Sequence, residues 1–185
     1  MMELTDQEKK TLLDIAKRAI MAKSGNKDAP KMASDLPILK EKRGAFVTLR
    51  KRGLLRGCIG YIKAVKPLGE TVQEMAVAAA FHDPRFPAVK SDEIRDLSCE
   101  VSVLSPLQRV QASQDIEVGK HGLYIVRGYN SGLLLPQVAV EYGWDRETFL
   151  RETCFKAGLP PLAWKDPETQ IYIFTAVYFS DKDVD

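Results

Sequence analysis

The chain has 185 residues, room for one domain or two small subdomains around a real core. Its residues are 45% hydrophobic and 28% charged, the balance of an ordinary soluble globular protein, and a net charge of +2 excludes a general polyelectrolyte. No apolar run approaches the ~20 residues that cross a bilayer, and the opening MMELTDQEKK lacks the apolar centre of a secretory signal, so no membrane association is expected.

Thr5 with Glu8 three residues later reads as a capping box, and Leu12, Leu13, Ile15, Ala16, Ala19 and Ile20 follow at helical spacing, predicting a helix to about Lys23. The polar SGNKDAPKMASDLP that comes next, with Gly25, Pro30 and Pro37, reads as a loop. AFVTLR and LLRGCIGYI are strand-like runs joined by Lys51-Arg52-Gly53, a β-hairpin. Leu68, Val72, Met75, Ala76 and Ala79 form the apolar stripe of a second helix, stopped by Asp83-Pro84. SCEVSVLS alternates as a strand, and HGLYIVRG and GLLL flank a turn at Tyr129-Asn130-Ser131. Pro136 opens a short helix to Glu141, and Asp145 caps another that carries Phe149, Leu150 and Cys154 and closes at Gly158 and Pro160. QIYIFTAVYF reads as one final strand. Strand pairs interspersed with isolated helices predict an α+β fold with antiparallel sheets.

Two features carry chemistry. Between residues 40 and 56, seven cations (Lys40, Lys42, Arg43, Arg50, Lys51, Arg52 and Arg56) stand against the single Glu41, a patch suited either to phosphate or RNA or to protecting a sheet edge. The second is LRGCIG, which sets Cys58 between Gly57 and Gly60. Period two puts Arg56, Cys58 and Gly60 on one strand face and Leu55, Gly57, Ile59 and Tyr61 on the other, the better core face. A guanidinium beside the thiol lowers its pKa, and the glycines suit a bulge or close ligand approach. The alternative is a small buried Cys58 with glycines that ease packing under a helix. A nucleophilic Cys58 needs a base, and His82 at the end of the second helix, oriented by Asp83, is the best candidate, with Arg85 as an anion-binding group. Glu100 is either an exposed sheet residue or a carboxylate lining the site. Cys99 and Cys154 fall at core positions. Three unpaired cysteines point to a reducing cytoplasm, and with only two histidines beside them no structural zinc is expected.

LRGCIG, HDPRFPAV, CEVSVLSP, VGKHGLYI, LLLPQVAVEYGWDRETFL and CFKAGL occur in an order that resembles the AMME chromosomal region gene 1 family, from about Ala45 to Phe179. The resemblance implies two unequal α+β subdomains, the larger holding both chain ends, with a cleft between them. It implies that Arg56, Gly57, Cys58, Gly60, His82, Asp83, Arg85, Phe86 and Glu100 gather toward that cleft. It also implies a shared pathway with a Memo-like protein and a radical-SAM protein, and it supplies neither a reaction nor a cofactor. The expected function is an enzyme using Cys58, with His82 and Glu100, on a small anionic or nucleotide-type substrate. The alternatives are an RNA- or phosphate-binding module and a non-catalytic partner subunit.

Overall fold

The computed structural model describes residues 3–28 and 34–183. It is an α+β structure whose chain divides into two compact units, Met1–Leu104 with Val177–Asp185, and Ser105–Ala176.

In the first unit, helix α1 (Asp6–Ser24) opens on the expected box, in which the Glu8 N–H donates to Thr5 Oγ1 and the Thr5 N–H donates to Glu8 Oε2 at 2.8 Å. Residues 29–33 of the expected loop lie outside the described residues. Residues 34–36 are irregular, as expected, and a one-turn helix that the sequence reading did not assign, α2 (Pro37–Lys40), follows them, starting on a proline and burying Ile38 and Leu39. Strands β1 (Ala45–Lys51) and β2 (Leu54–Tyr61) form the hairpin. Its two turn residues, Arg52 and Gly53, both take positive φ (52° and 82°), the condition for a tight turn that matches the strands' twist. Helix α3 (Leu68–Phe81) and strand β3 (Leu97–Leu104) follow.

The second unit holds β4 (Gln108–Arg109), β5 (Gly122–Arg127), β6 (Asn130–Leu134), α4 (Pro136–Glu141), α5 (Arg146–Lys156) and β7 (Gln170–Phe174). The turn between β5 and β6 falls at Gly128-Tyr129, earlier than the sequence reading placed it, because Gly128 supplies the positive φ that the turn requires. QIYIFTAVYF is two strands and not one. The run breaks at Thr175, and its second half is β8 (Ala176–Ser180). The Thr175 N–H donates to Ser105 Oγ and the Ser105 N–H donates to the Thr175 carbonyl, both at 2.9 Å, so the break spends its backbone groups outside either ladder.

The strand orders are β2-β1-β3-β8 and β4-β7-β5-β6. Helices α1 and α3 cover one face of the first sheet. Leu12, Ala16 and Ile20 of α1 and Val72, Ala76 and Ala79 of α3 bury against Val47 and Leu49 of β1 and Cys99, Val101 and Val103 of β3. Phe149, Leu150 and Cys154 of α5 close a separate core on Leu123 and Ile125 of β5. Cys99 and Cys154 are thus core thiols, as their positions in the sequence predict.

One irregularity positions everything that follows. Leu49 pairs with Gly57 but Arg50 pairs with Leu55, so Arg56 is the extra residue of a β-bulge. The bulge resets the alternation: Gly57 and Ile59 face the helices, while Leu55 lies exposed, a correction to the simple period-two reading. At Gly57, α3 comes so close that an added Cβ would meet the carbonyl oxygen of Ala79. Gly57→Ala is therefore expected to lose about 1–3 kcal/mol of stability as strand and helix are forced apart. Denaturant unfolding checks this, and an unchanged midpoint would show that the helix yields freely.

Candidate functional site

On the sheet face away from the helices, Cys58 of β2, Thr48 of β1 and Glu100 of β3 stand in one cross-strand row. Directly opposed residues in such a row have Cβ atoms ~5 Å apart, so Thr48 is the immediate neighbour of both Cys58 and Glu100 and stands between them. The Thr48 hydroxyl donates to Cys58 Sγ at 3.1 Å. The next row is Gly60, Phe46 and Ser102.

Strand β2 is a sheet edge, so the Cys58 backbone points its N–H and carbonyl away from β1. Two side chains from the turn after α3 take the place of a neighbouring strand. Asp83 Oδ2 accepts the Cys58 N–H at 2.9 Å, and Arg85 Nη2 donates to the Cys58 carbonyl at 3.1 Å. The pair is locked to itself, with Arg85 Nε donating to Asp83 Oδ1 at 2.9 Å and Nη2 to Oδ2 at 2.7 Å. The turn itself is sharp because Pro84 fixes φ, the Phe86 N–H donates to the Asp83 carbonyl, and the Arg85 N–H donates to Asp83 Oδ1. The Arg85 guanidinium lies 5.5 Å from the centre of the Phe86 ring. Arg85 holds the buried Asp83 carboxyl far below the usual carboxylate range, helped by the two backbone N–H groups it accepts.

Burial pushes the Cys58 thiol above its ordinary pKa, in spite of the Thr48 hydroxyl and the Arg85 charge; Glu100 and Asp83 push it the same way. The resting group is therefore a neutral thiol. This corrects the expectation that Arg56 lowers it. Bulged out of register, Arg56 turns to Glu93, with Nη2 donating to Oε2 at 3.1 Å, and to the Pro87 carbonyl at 2.9 Å. Glu93 also takes Lys51 at 2.8 Å, and these cations lower its pKa to about 2. With Lys40 on Asp35 and Arg43 on Glu41 as well, four of the seven cations of the basic stretch are ion-paired within the chain, on three carboxylates.

His82 is the exposed C-cap of α3, and none of the hydrogen bonds at Cys58 involves it. It lines instead a groove of about 650 Å³ together with Lys23, Tyr61 and Lys66. The structure thus gathers Cys58, Asp83 and Arg85 by direct hydrogen bonds, with Glu100 on the same sheet face, ties Arg56 to Glu93, and gives His82 none of these bonds. Among the described residues, no group of three or more His, Cys, Asp or Glu side chains is placed to hold a metal ion.

The AMMECR1 family model matches residues 13–179. The chain belongs to the AMMECR1 family. It is 48% identical over 185 residues to a protein of Methanothermobacter thermautotrophicus, covering 96% of each chain. It is 44% identical over 193 residues to protein TK0174 of Thermococcus kodakarensis, covering 98% of this chain and 94% of that one. The crystal structure of the uncharacterised protein PH0010 from Pyrococcus horikoshii superposes with a TM-score of 0.88 at 44% identity, over 93% of this chain and 90% of that one. The family and the α+β fold expected from the sequence both hold.

Two members of this AMMECR1 site escaped sequence reasoning. Glu93 carries no local signal, since its partners Lys51 and Arg56 lie some 40 residues earlier. Thr48 was legible only through the bulge: an unbroken hairpin register from the turn would have set it opposite Gly57 in place of Cys58.

Two measurements check this electrostatic picture. In site-resolved iodoacetamide labelling against pH, Cys58 is expected to react with an apparent pKa above the ordinary ~8.5 of a free thiol, and Thr48→Val is expected to raise it further by removing the donor to sulfur. A Cys58 that titrates below the free value would contradict the geometry. Glu93 and Asp83 have depressed folded-state values, so their stabilisation is complete above the unfolded carboxylate range near ~4 and is lost as pH falls toward 2. Thermal unfolding between pH 6 and 2 is expected to show that loss, and Glu93→Gln is expected to lower stability at pH 7 while flattening the acid dependence.

Proposed function

We propose that this AMMECR1-family chain holds a small anionic ligand beside Cys58, with Arg85 taking its negative charge and Cys58 as the group that meets the ligand's reactive atom. The observation that carries the reading is the state of Arg85. Its Nε and Nη2 are fixed on Asp83 and on the Cys58 carbonyl, while Nη1 carries none of these bonds and the side chain is 49% exposed. A guanidinium pre-oriented in this way binds an oxyanion without first losing its own freedom. The ion pairs that hold four of the seven cations of the basic stretch within the chain favour a small ligand over RNA.

The neutral thiol separates this reading from a resting thiolate nucleophile. Chemistry at Cys58 then requires a proton acceptor that arrives with the substrate, since Glu100 stands two strands away, beyond Thr48. The three cysteines are free and two are buried, which supports a reducing cytoplasm as the place of action. Among the described residues, no helix is long and apolar enough to cross a membrane. The family resemblance extends the proposal to a pathway shared with a Memo-like and a radical-SAM protein, testable by crosslinked pull-down of the tagged chain from its host.

Calorimetry with ribose 5-phosphate tests the anion site. Arg85→Gln is expected to weaken binding at least fivefold, and equal affinity in the variant would remove Arg85 from the proposal. Metabolite profiling of a Cys58→Ser strain tests the reaction. One accumulating anionic compound is the expected result, and a profile identical to the parent's reduces the site to a binding site.

A further inference from the structure

Part of the basic stretch is left unused by the anion site: the tip of the hairpin. The register sets Arg50 opposite Leu55 and Lys51 opposite Leu54, with Arg52 and Gly53 as the turn. Directly paired residues share a sheet face, and successive residues alternate between faces. Val47 and Leu49 point toward the helices, so Lys51 and Leu54 lie on that side of the tip and Arg50 and Leu55 on the other. Without the bulge Leu55 would stand opposite Lys51; the bulge moves it across and leaves a leucine on each face. Leu54 is 75% exposed and Leu55 38%. Lys51 is held by Glu93, but among the described residues neither Arg50 nor Arg52 forms an ion pair. Exposed Arg95 and Asp96 precede Leu97, the β3 partner of Lys51, and their formal charges cancel. The tip is therefore apolar on both faces and carries two uncompensated guanidinium groups.

We infer that this tip docks on an anionic lipid surface, entering it end-on, with Leu54 and Leu55 at the acyl boundary and Arg50 and Arg52 on headgroup phosphates. The placement of the leucines decides the kind of partner. A flat macromolecular surface covers one face of a two-stranded ribbon, whereas a fluid layer entered end-on closes around both. Nucleic acid would answer the arginines and leave both leucines in water. Arginine stems lie along apolar surface while the guanidinium stays in the polar layer, so both residue types are satisfied at one depth. Apolar area and attraction to anionic lipid add, and a contact this small is reversible. The expectation of no membrane association rested on the lack of a span or a signal, and a surface tip requires neither. The inference is independent of the anion site, whose residues lie outside the tip.

The test is co-sedimentation of the full-length protein with vesicles of phosphatidylglycerol and phosphatidylcholine in equal parts, compared with phosphatidylcholine alone. Binding to the anionic vesicles is expected, weakening as salt rises. Arg50→Gln with Arg52→Gln is expected to weaken it about 25-fold, each cation near an anionic surface being worth about fivefold. Leu54→Thr with Leu55→Thr, which keeps strand-forming residues, is expected to weaken it about tenfold. Lys42→Gln is the control, an exposed cation of the same stretch beyond the opposite end of β1, and is expected to change nothing. Leu54→Trp is expected to shift its emission to the blue on binding, measured against the parent protein. No binding at low salt, or equal binding to neutral vesicles, overturns the inference. So does binding undiminished by the leucine pair, in variants whose melting curves match the parent's. Binding to polyuridylate that the arginine pair abolishes, with no binding to vesicles, assigns the tip to nucleic acid and overturns it as well.

Discussion

The close approach of helix α3 to strand β2 at Gly57 is the contact on which the rest of the site depends. With no side chain at that position, the Ala79 backbone lies against the strand. The helix then ends two residues on, at Phe81. From there the chain has only to turn once, at Asp83-Pro84, for a carboxylate and a guanidinium to arrive at the exposed backbone of Cys58. A larger residue at 57 would lift the helix, and the same turn would miss its target.

That turn solves a general problem in a particular way. An edge strand offers unpaired donors and acceptors, and proteins usually hide them with charge, proline or a bulge. Here the bulge at Arg56 and the ion pair of Asp83 and Arg85 do the work together, and the ion pair places charge beside a thiol. The consequence is a cysteine whose backbone is rigidly held and whose sulfur is neutral at rest. Rigidity without activation suits a group that positions or meets a ligand more than one that waits as a thiolate.

The two glycines of LRGCIG have separate tasks on opposite faces. Gly57 serves the core by admitting the helix, while Gly60 serves the polar face by letting the Phe46 ring lie flat. The cysteine between them is the point at which the packing of the helix on one side and the polar face of the sheet on the other meet. Glu93 completes the arrangement from behind. By drawing Arg56 and Lys51 onto itself it fixes the loop after α3 to the hairpin, and it removes from the thiol the cation that lay nearest in sequence.

The sequence by itself determined the elements and the family. The capping box at Thr5, the stripes of α1 and α3, the hairpin around Arg52-Gly53 and the α+β class all rest on local spacing, which tertiary contacts reinforced. It also marked out Cys58, Asp83, Arg85 and Glu100 as residues of interest. Tertiary structure alone decided how they act. The bulge shifted β2 by one residue, and because side chains alternate with period two, that shift turned Leu55 away from the core and set Thr48 opposite the thiol. The partner of Arg56 sits 37 residues away in sequence, a distance at which no spacing rule operates. Thr175 split an apparently continuous strand because its backbone found Ser105 in place of a ladder partner. Local pattern fixes which residues form strands and helices; which charge meets which is settled by long-range pairing, and there a one-residue slip is enough to exchange every neighbour.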